Sequence, residues 1–356
     1  MIPEFIDTWQ MIEPGKLIKT RLPMPALTPG DVVIQIKGCG VCHTDLSYFY
    51  MGVPTVQKPP LSLGHEISGV VVGGEEAMIG KEVIVPAVIP CGECDLCKSG
   101  RGNRCLAQKM PGNSMGIYGG FSSHIVCQSK FLCLVGDRGD TPIEHLSVIA
   151  DAVTTPYQAA VRARLSPGDL VIVVGAAGGV GSFMVQTAKG MGAKVVIGID
   201  INDEKLKMMT GYGADGTINP KGLSTKELKE AFKAIAKEQG VPSNTGWKIF
   251  ECTGTKPGQE TALSLLSFVG MLVVVGYGTD ETSYMLSKLM AFDAEIIGTW
   301  GCPPDKYAGV LDMCLDGRIQ LAPFVETQPM SRIAQIFDDA HHGKLNRRVI
   351  LTPDFN

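Results

Sequence analysis

The 356-residue sequence has no long apolar run, no internal repeat, no low-complexity linker and little excess of either charge. Each lack removes a class of protein. The most apolar stretch, Leu170 to Val185, is short and broken by glycines and alanines, so it does not suit a bilayer span. The N-terminus, MIPEFIDTWQMIEPGK, carries Pro, Glu and Asp where a signal peptide needs a basic start and an apolar run. A cytoplasmic protein is therefore expected. The net charge of −4 supplies no broad basic field, which argues against nucleic acid and membrane as partners. With 45% hydrophobic and 19% charged residues the chain is globular, and its length suggests two closely joined domains. Cysteine is not scarce: there are eleven, an odd number. Cys39, Cys127, Cys133, Cys252, Cys302 and Cys314 stand singly in apolar surroundings, a pattern that fits thiols kept reduced or metal-bound.

Four of the others cluster as Cys91-x2-Cys94-x2-Cys97-x7-Cys105, inside CGECDLCKSGRGNRC. Thiolates this close on a Gly-rich polar loop can surround one zinc ion tetrahedrally. The loop has almost nothing apolar to bury, so a metal would order it. Two disulfides and an iron–sulfur cluster are the alternatives. The long last gap and the lack of a Pro after Cys105 disfavour the cluster.

The first 150 residues read as short strands broken by Gly and Pro: DVVIQIKG (31–38), EISGVVVGG (66–74) and KEVIVPAVIP (81–90). The texture changes near residue 151. Apolar strands then alternate with helical patterns: DLVIVVG (169–175), KVVIGID (194–200), KIFECTG (248–254), MLVVVGYG (271–278) and EIIGTWG (295–301). That alternation predicts an α/β, doubly wound parallel sheet over residues 151–300. LSTKELKEAFKAIAKEQG reads as an amphipathic helix with a Ser224/Glu227 capping box. From about 301 the chain carries short helices and ends in a strand, RRVILTP.

After DLVIVV comes Gly175-Ala-Ala-Gly178-Gly179-Val180-Gly181 and then a helix. Such glycines let backbone approach a pyrophosphate at a helix N-terminus. The spacing is one residue longer than the usual G-x-G-x-x-G. The next strand ends at Asp200, where an acid can accept from both ribose hydroxyls and repel a 2′-phosphate, which favours NAD over NADP. A tight strand–helix turn without ligand is the alternative.

A second set of possible metal ligands is Cys42 in GCGVCHTD, His65 in LGHE and Asp151 in IADAVTTPY. A catalytic zinc needs three protein ligands and an open place. Taken singly, Cys42 reads equally as a buried thiol, His65 as a core histidine, and Asp151 as a cap for a helix beginning near Pro156.

Cys42-His-Thr-Asp45, Gly64-His65-Glu66, the four-cysteine loop and the later glycine turn occur here in the order seen in zinc-dependent medium-chain alcohol dehydrogenases, and the sequence resembles that family over nearly its whole length. The resemblance implies a GroES-like catalytic domain (1–150), a Rossmann domain (151–300) and a C-terminal segment (301–356) returning to the catalytic domain. It implies NAD and two zinc ions. Cys42, His65 and Asp151 match the catalytic zinc ligands, although Asp151 stands where the family usually has Cys, with Glu66 an exchangeable alternative. Thr44 matches the hydroxyl that meets the substrate alcohol, Asp45 the carboxylate that orients a ligand, and His43 a cofactor-pyrophosphate contact. Ser47 stands where a relay histidine is common, so the proton would leave through Thr44, the cofactor ribose and water. A homo-oligomer, dimer or tetramer, is implied as well.

Within the family, GCGVCHTDLSYFYMGVPTV, SGRGNRCLAQKMPGNSMGIYGGFSSH and VIADAVTTPYQAAVRAR resemble dehydrogenases of cyclic β-hydroxyacyl-CoA thioesters in anaerobic aromatic degradation. Lys58, Arg101, Arg104 and Lys109 are then candidates for the CoA phosphates, or plain surface charges. Where the ring also carries an adjacent carbon–carbon double bond, the ketone product is an enone, open to conjugate addition of water.

Overall fold

In the computed structural model, residues 2–355 are described. The chain forms two compact units. One comprises the residues up to Thr154, Gly301–Leu315 and the residues from Leu321 on; the other comprises Thr155–Trp300 and Asp316–Gln320.

The first unit is β-rich. Its hub is the strand Asp31–Gly40, whose Val and Ile run suits a pleated surface buried on both sides. It pairs antiparallel with Glu66–Gly74 along one edge. Along the other edge it pairs with His124–Gln128 and then with Arg348–Thr352. Glu82–Val85 and Cys133–Leu134 extend the sheet on one side, and Val325–Pro329 extends it on the other, completing seven strands. Lys16–Pro23, Phe5–Glu13 and Leu61–Ser62 make a separate three-stranded sheet. The core is apolar, with Ile34, Ile36, Ile67 and Val71 from the large sheet. Phe337 of the helix Ile333–His341 meets Phe49 and Phe121 edge-on at 5.3 and 5.6 Å.

The pairing register brings distant residues together. Gly40 lies opposite Glu66 on one neighbour and Ile350 on the other. A Cβ at Gly40 would stand 2.0 Å from Glu66 Oε2, so only glycine leaves room there.

The second unit is the expected parallel sheet. Six strands run in the order Gly216–Ile218, Val195–Ile199, Leu170–Val174, Trp247–Glu251, Met271–Val274 and Glu295–Gly298, every neighbouring pair parallel. The central strands are apolar runs rather than alternating patterns because helices cover both faces. Chain order reverses at Leu170–Val174, the kind of switch point where open α/β sheets bind ligands. The helix Thr225–Glu238 begins with the expected capping box: Glu227 N–H donates to Ser224 Oγ, and Ser224 N–H to Glu227 Oε2 at 2.8 Å. Trp247 and Phe232 pack edge-on in the core beneath it.

Local boundaries differ from expectation in two places. The strand expected over 81–90 stops at Val85, because Pro86 cannot donate to the ladder. The helix expected near Pro156 already begins at Thr154, with Pro156 inside its first turn, where the missing N–H costs nothing. Among the described residues no helix is long and apolar enough to cross a membrane.

Candidate metal centres and the nucleotide turn

The four-cysteine loop brings its sulfurs together. Cys91 opens it, Cys94 caps the short helix Asp95–Lys98 that carries Cys97, and Cys105 follows the 3₁₀ turn Gly102–Arg104. The Sγ–Sγ separations are 3.5 Å for Cys91–Cys105 and Cys94–Cys97, and 3.8 Å for Cys91–Cys97 and Cys94–Cys105. No disulfide forms, and all four are free thiols. A tetrahedron with metal–sulfur bonds of about 2.3 Å has edges of about 3.8 Å, so the donor set fits zinc without rearrangement. Backbone amides reinforce the charge: Cys105 Sγ accepts from Cys91 N–H and Cys91 Sγ from Glu93 N–H, both at 3.4 Å. The amides of Glu93 and Cys94 and the Cys105 thiol pull the Cys91 thiol down to about 6. That readies it to bind as thiolate.

The second cluster lies in the same unit. Cys42 precedes the helix His43–Tyr50, and its N–H donates to Asp45 Oδ2 at 3.1 Å. Asp45 Oδ1 accepts from Gly64 N–H at 3.0 Å and stands 3.3 Å from His65 Nδ1. The carboxylate therefore fixes the loop before His65 and orients its ring. Asp151, just past the 3₁₀ segment Ile143–Ala150, points Oδ2 to within 3.5 Å of His65 Nε2 and 3.6 Å of Cys42 Sγ. Donor atoms of Cys42, His65, Glu66 and Asp151 all lie within 4.8 Å of one another.

Zinc suits this set too. Bonds of about 2.3 Å to sulfur and about 2.1 Å to nitrogen and oxygen give S–O and N–O edges of about 3.6 and 3.4 Å. His65 is buried and its Nε2 has no hydrogen-bond partner, an orphan that a metal would satisfy. Burial disfavours the charged imidazole, but the carboxylates of Asp45 and Asp151 and the nearby Cys42 outweigh it and hold His65 well above its ordinary value.

Glu66 also pairs with an arginine. Arg348 Nε donates to Glu66 Oε2 at 2.8 Å, and Arg348 Nη2 reaches Oε1. Both side chains are buried. Burial raises the Glu66 carboxyl, and Arg348 offsets only part of that rise. Sequence reading missed Arg348. Its only signal is the Arg347-Arg348 pair at the entry to the final apolar strand.

The remaining residues fall as follows. Thr44 is half-buried in the first helical turn. Ser47 Oγ donates to Thr44 O at 2.8 Å, so its hydroxyl is turned back onto the helix. His43 keeps an exposed edge, yet burial of the rest of its ring, then Arg348 and His341, hold its imidazole below the ordinary value. Lys58, Arg101, Arg104 and Lys109 are exposed.

In the second unit the turn from Gly175 to Val180 leads into the helix Gly181–Gly190. A Cβ on Gly181 would lie 1.9 Å from Gly175 O, so this glycine lets the helix start against the strand end. Gly178, Gly179 and Val180 form the open side of the turn. Asp200 Oδ2 accepts from Ala177 N–H at 2.9 Å and Oδ1 from Asn202 N–H at 3.1 Å, tying the acid to the glycine turn.

A zinc-binding dehydrogenase model matches residues 179–316, and an alcohol dehydrogenase GroES-like domain model matches residues 28–137. An alcohol dehydrogenase of Geobacillus stearothermophilus is 31% identical over 332 residues, 92% of this chain and 93% of that one. The chain belongs to the zinc-dependent medium-chain alcohol dehydrogenase family. An S-(hydroxymethyl)glutathione dehydrogenase of a Synechocystis species is also 31% identical, over 90% of this chain and 92% of its own. The acetophenone reductase of Geotrichum candidum, solved with NAD, shares the fold at TM-score 0.85 and 24% identity over 100% of this chain and 99% of its own. The chain is thus an alcohol dehydrogenase-type oxidoreductase of a zinc-binding family, and its two clusters of donor atoms suit zinc.

The cysteine loop generates a direct test. Cys97→Ser should lower the thermal midpoint and release about one metal per chain, because binding there is coupled to local folding. Metal analysis after gel filtration reads the loss, and retention of both ions would refute the assignment.

Proposed function

We propose that Cys42, His65 and Asp151 hold a catalytic zinc and that the enzyme oxidises a secondary alcohol to a ketone with NAD. Alcohol and NAD become ketone, NADH and one proton. The observation that carries this reading is the approach of Asp151 Oδ2 to both His65 Nε2 and Cys42 Sγ, at 3.5 and 3.6 Å. A zinc ion held by these three side chains would supply the Lewis acidity that lowers an alcohol's pKa, and a bound nicotinamide would supply the hydride acceptor. The chain's own groups do the rest. Asp45 orients His65 through Nδ1. Glu66 stays with Arg348 as a buried counter-charge rather than serving as a ligand. Thr44 accepts the alcohol proton and passes it on. Ser47 takes no part in the relay, since its hydroxyl is spent on Thr44 O. His43 contacts the cofactor pyrophosphate, and Gly175, Gly178, Gly179, Val180 and Gly181 cradle it.

The substrate we propose is a cyclic β-hydroxyacyl-CoA. The reading is supported by the three segments around Cys42, Cys105 and Asp151, which resemble those of 6-hydroxycyclohex-1-ene-1-carbonyl-CoA dehydrogenase of anaerobic benzoyl-CoA degradation. Lys58, Arg101, Arg104 and Lys109 carry their positive charge at exposed positions, the charge that CoA phosphates require. The second reading is a free secondary alcohol or polyol, favoured by the names of the relatives at 31% identity. Initial rates with NAD across a panel of free alcohols and hydroxyacyl-CoA esters decide between them. The thioesters should give the higher kcat/KM, and turnover of free alcohols alone would sink the CoA reading.

The enone product is open to conjugate addition of water in the same pocket. Mass spectrometry of the ketone incubated with enzyme should show a gain of one water. A gain no larger than in the enzyme-free control would limit the protein to dehydrogenation.

Asp200 repels a 2′-phosphate, so NAD is preferred over NADP. Asp200→Asn keeps an acceptor for Ala177 N–H while removing the charge. It should narrow the preference by a factor on the order of ten, about 1.4 kcal/mol, read as the ratio of kcat/KM values. Equal wild-type efficiency with both cofactors would end this reading.

A further inference from the structure

Tyr307 opens the helix Tyr307–Leu315 and is fully buried. Its hydroxyl donates to Ala150 O at 2.5 Å and accepts from Ala87 N–H at 3.1 Å. Thr154 Oγ1 donates to the same Ala150 carbonyl at 3.1 Å. One proton and one lone pair of the phenol are thus used by two backbone groups. Burial pushes the phenol well above its ordinary value, so it stays a neutral donor.

The two groups it joins are informative. Ala150 immediately precedes Asp151, whose φ and ψ of −141° and −56° leave the helical path of Ile143–Ala150. Asp151 is therefore aimed by the peptide before it rather than by a continuing helix. Ala87 follows the strand Glu82–Val85 by two residues, and Val85 pairs with Ile67, two residues past His65. A single buried oxygen bridges the backbone that carries Asp151 and the sheet that carries His65.

We propose that Tyr307 is a positioning residue of the catalytic metal site, holding the Ala150–Asp151 peptide so that the Asp151 carboxylate reaches His65 and Cys42. The proposal rests on Asp151 being a ligand. A phenylalanine there keeps the packed ring but leaves Ala87 N–H and Ala150 O without the bridge. The carboxylate then loses its fixed distance, while the cysteine loop is untouched.

The test uses the full chain as Tyr307→Phe, Asp151→Ala and the double variant. Zinc affinity of both sites is read by chelator competition, and the visible spectrum is read after cobalt replaces the catalytic ion. Tyr307→Phe should weaken the catalytic site about tenfold or more, shift the cobalt bands and leave the cysteine-loop site unchanged. In the Asp151→Ala background it should add nothing. A drop of equal size in that background, or unchanged affinity and bands in the single variant beside a strong Asp151→Ala effect, would overturn the positioning role alone. Unchanged affinity in Asp151→Ala would remove the ligand reading and this proposal with it. Should Tyr307→Phe not fold, Thr154→Val removes the other donor to the same carbonyl. It should show a smaller loss in the same direction, and an unchanged site in that variant would count against the proposal.

Discussion

Negative charge held away from water is the constraint on which the β-rich unit depends. Asp45, Glu66 and Cys42 are buried, and Asp151 points into the same place. The fixed positive charge facing them is Arg348, with His65 able to carry another. Moving a carboxylate into a dry interior costs several kcal/mol even after relaxation, so unbalanced acids cannot simply sit there. The arrangement divides the problem. Arg348 pairs with Glu66, Cys42, His65 and Asp151 face one another, and Asp45 is satisfied by backbone amides and the far side of the His65 ring.

Much of the unit's backbone geometry serves that balance. Gly40 leaves room for the Glu66 carboxylate, and the strand Arg348–Thr352 brings the arginine back along the hub strand. Removing the guanidinium while keeping the acid would leave a lone buried charge, a loss of about 3–5 kcal/mol in comparable cases. That is far above the worth of surface ion pairs such as Lys226–Glu230, whose partners are largely exposed.

The parallel-sheet unit obeys a different constraint. Its central strands are buried on both faces, so polar chemistry there is confined to their carboxyl ends. The glycine turn and Asp200 lie at those ends, on the neighbouring strands Leu170–Val174 and Val195–Ile199. The acid is bonded to the turn through Ala177 N–H, which fixes the carboxylate beside the glycines.

What could be read from the chain alone was whatever neighbours in sequence decide. Four cysteines within fifteen residues have little choice but to converge, and Cys42 with Asp45, or His65 with Glu66, sit within one turn or one dipeptide. The glycine turn and the Ser224 capping box were legible for the same reason, since local hydrogen bonds and steric limits specify them. The approach of Asp151 to Cys42 spans 109 residues, and no periodicity announces it; a family resemblance suggested it and the fold supplied the distance. Arg348 is 282 residues from Glu66 and Tyr307 is 157 from Ala150. Neither partner was legible, because pairing across such separations is set by strand register and helix packing, which depend on the whole core rather than on any local spacing. Sequence by itself determined the converging cysteine loop, the glycine turn and the alternation that makes the parallel sheet. Only the tertiary structure decided which charge faces which in the dry interior, because there a contact is chosen by the summed burial of many distant side chains.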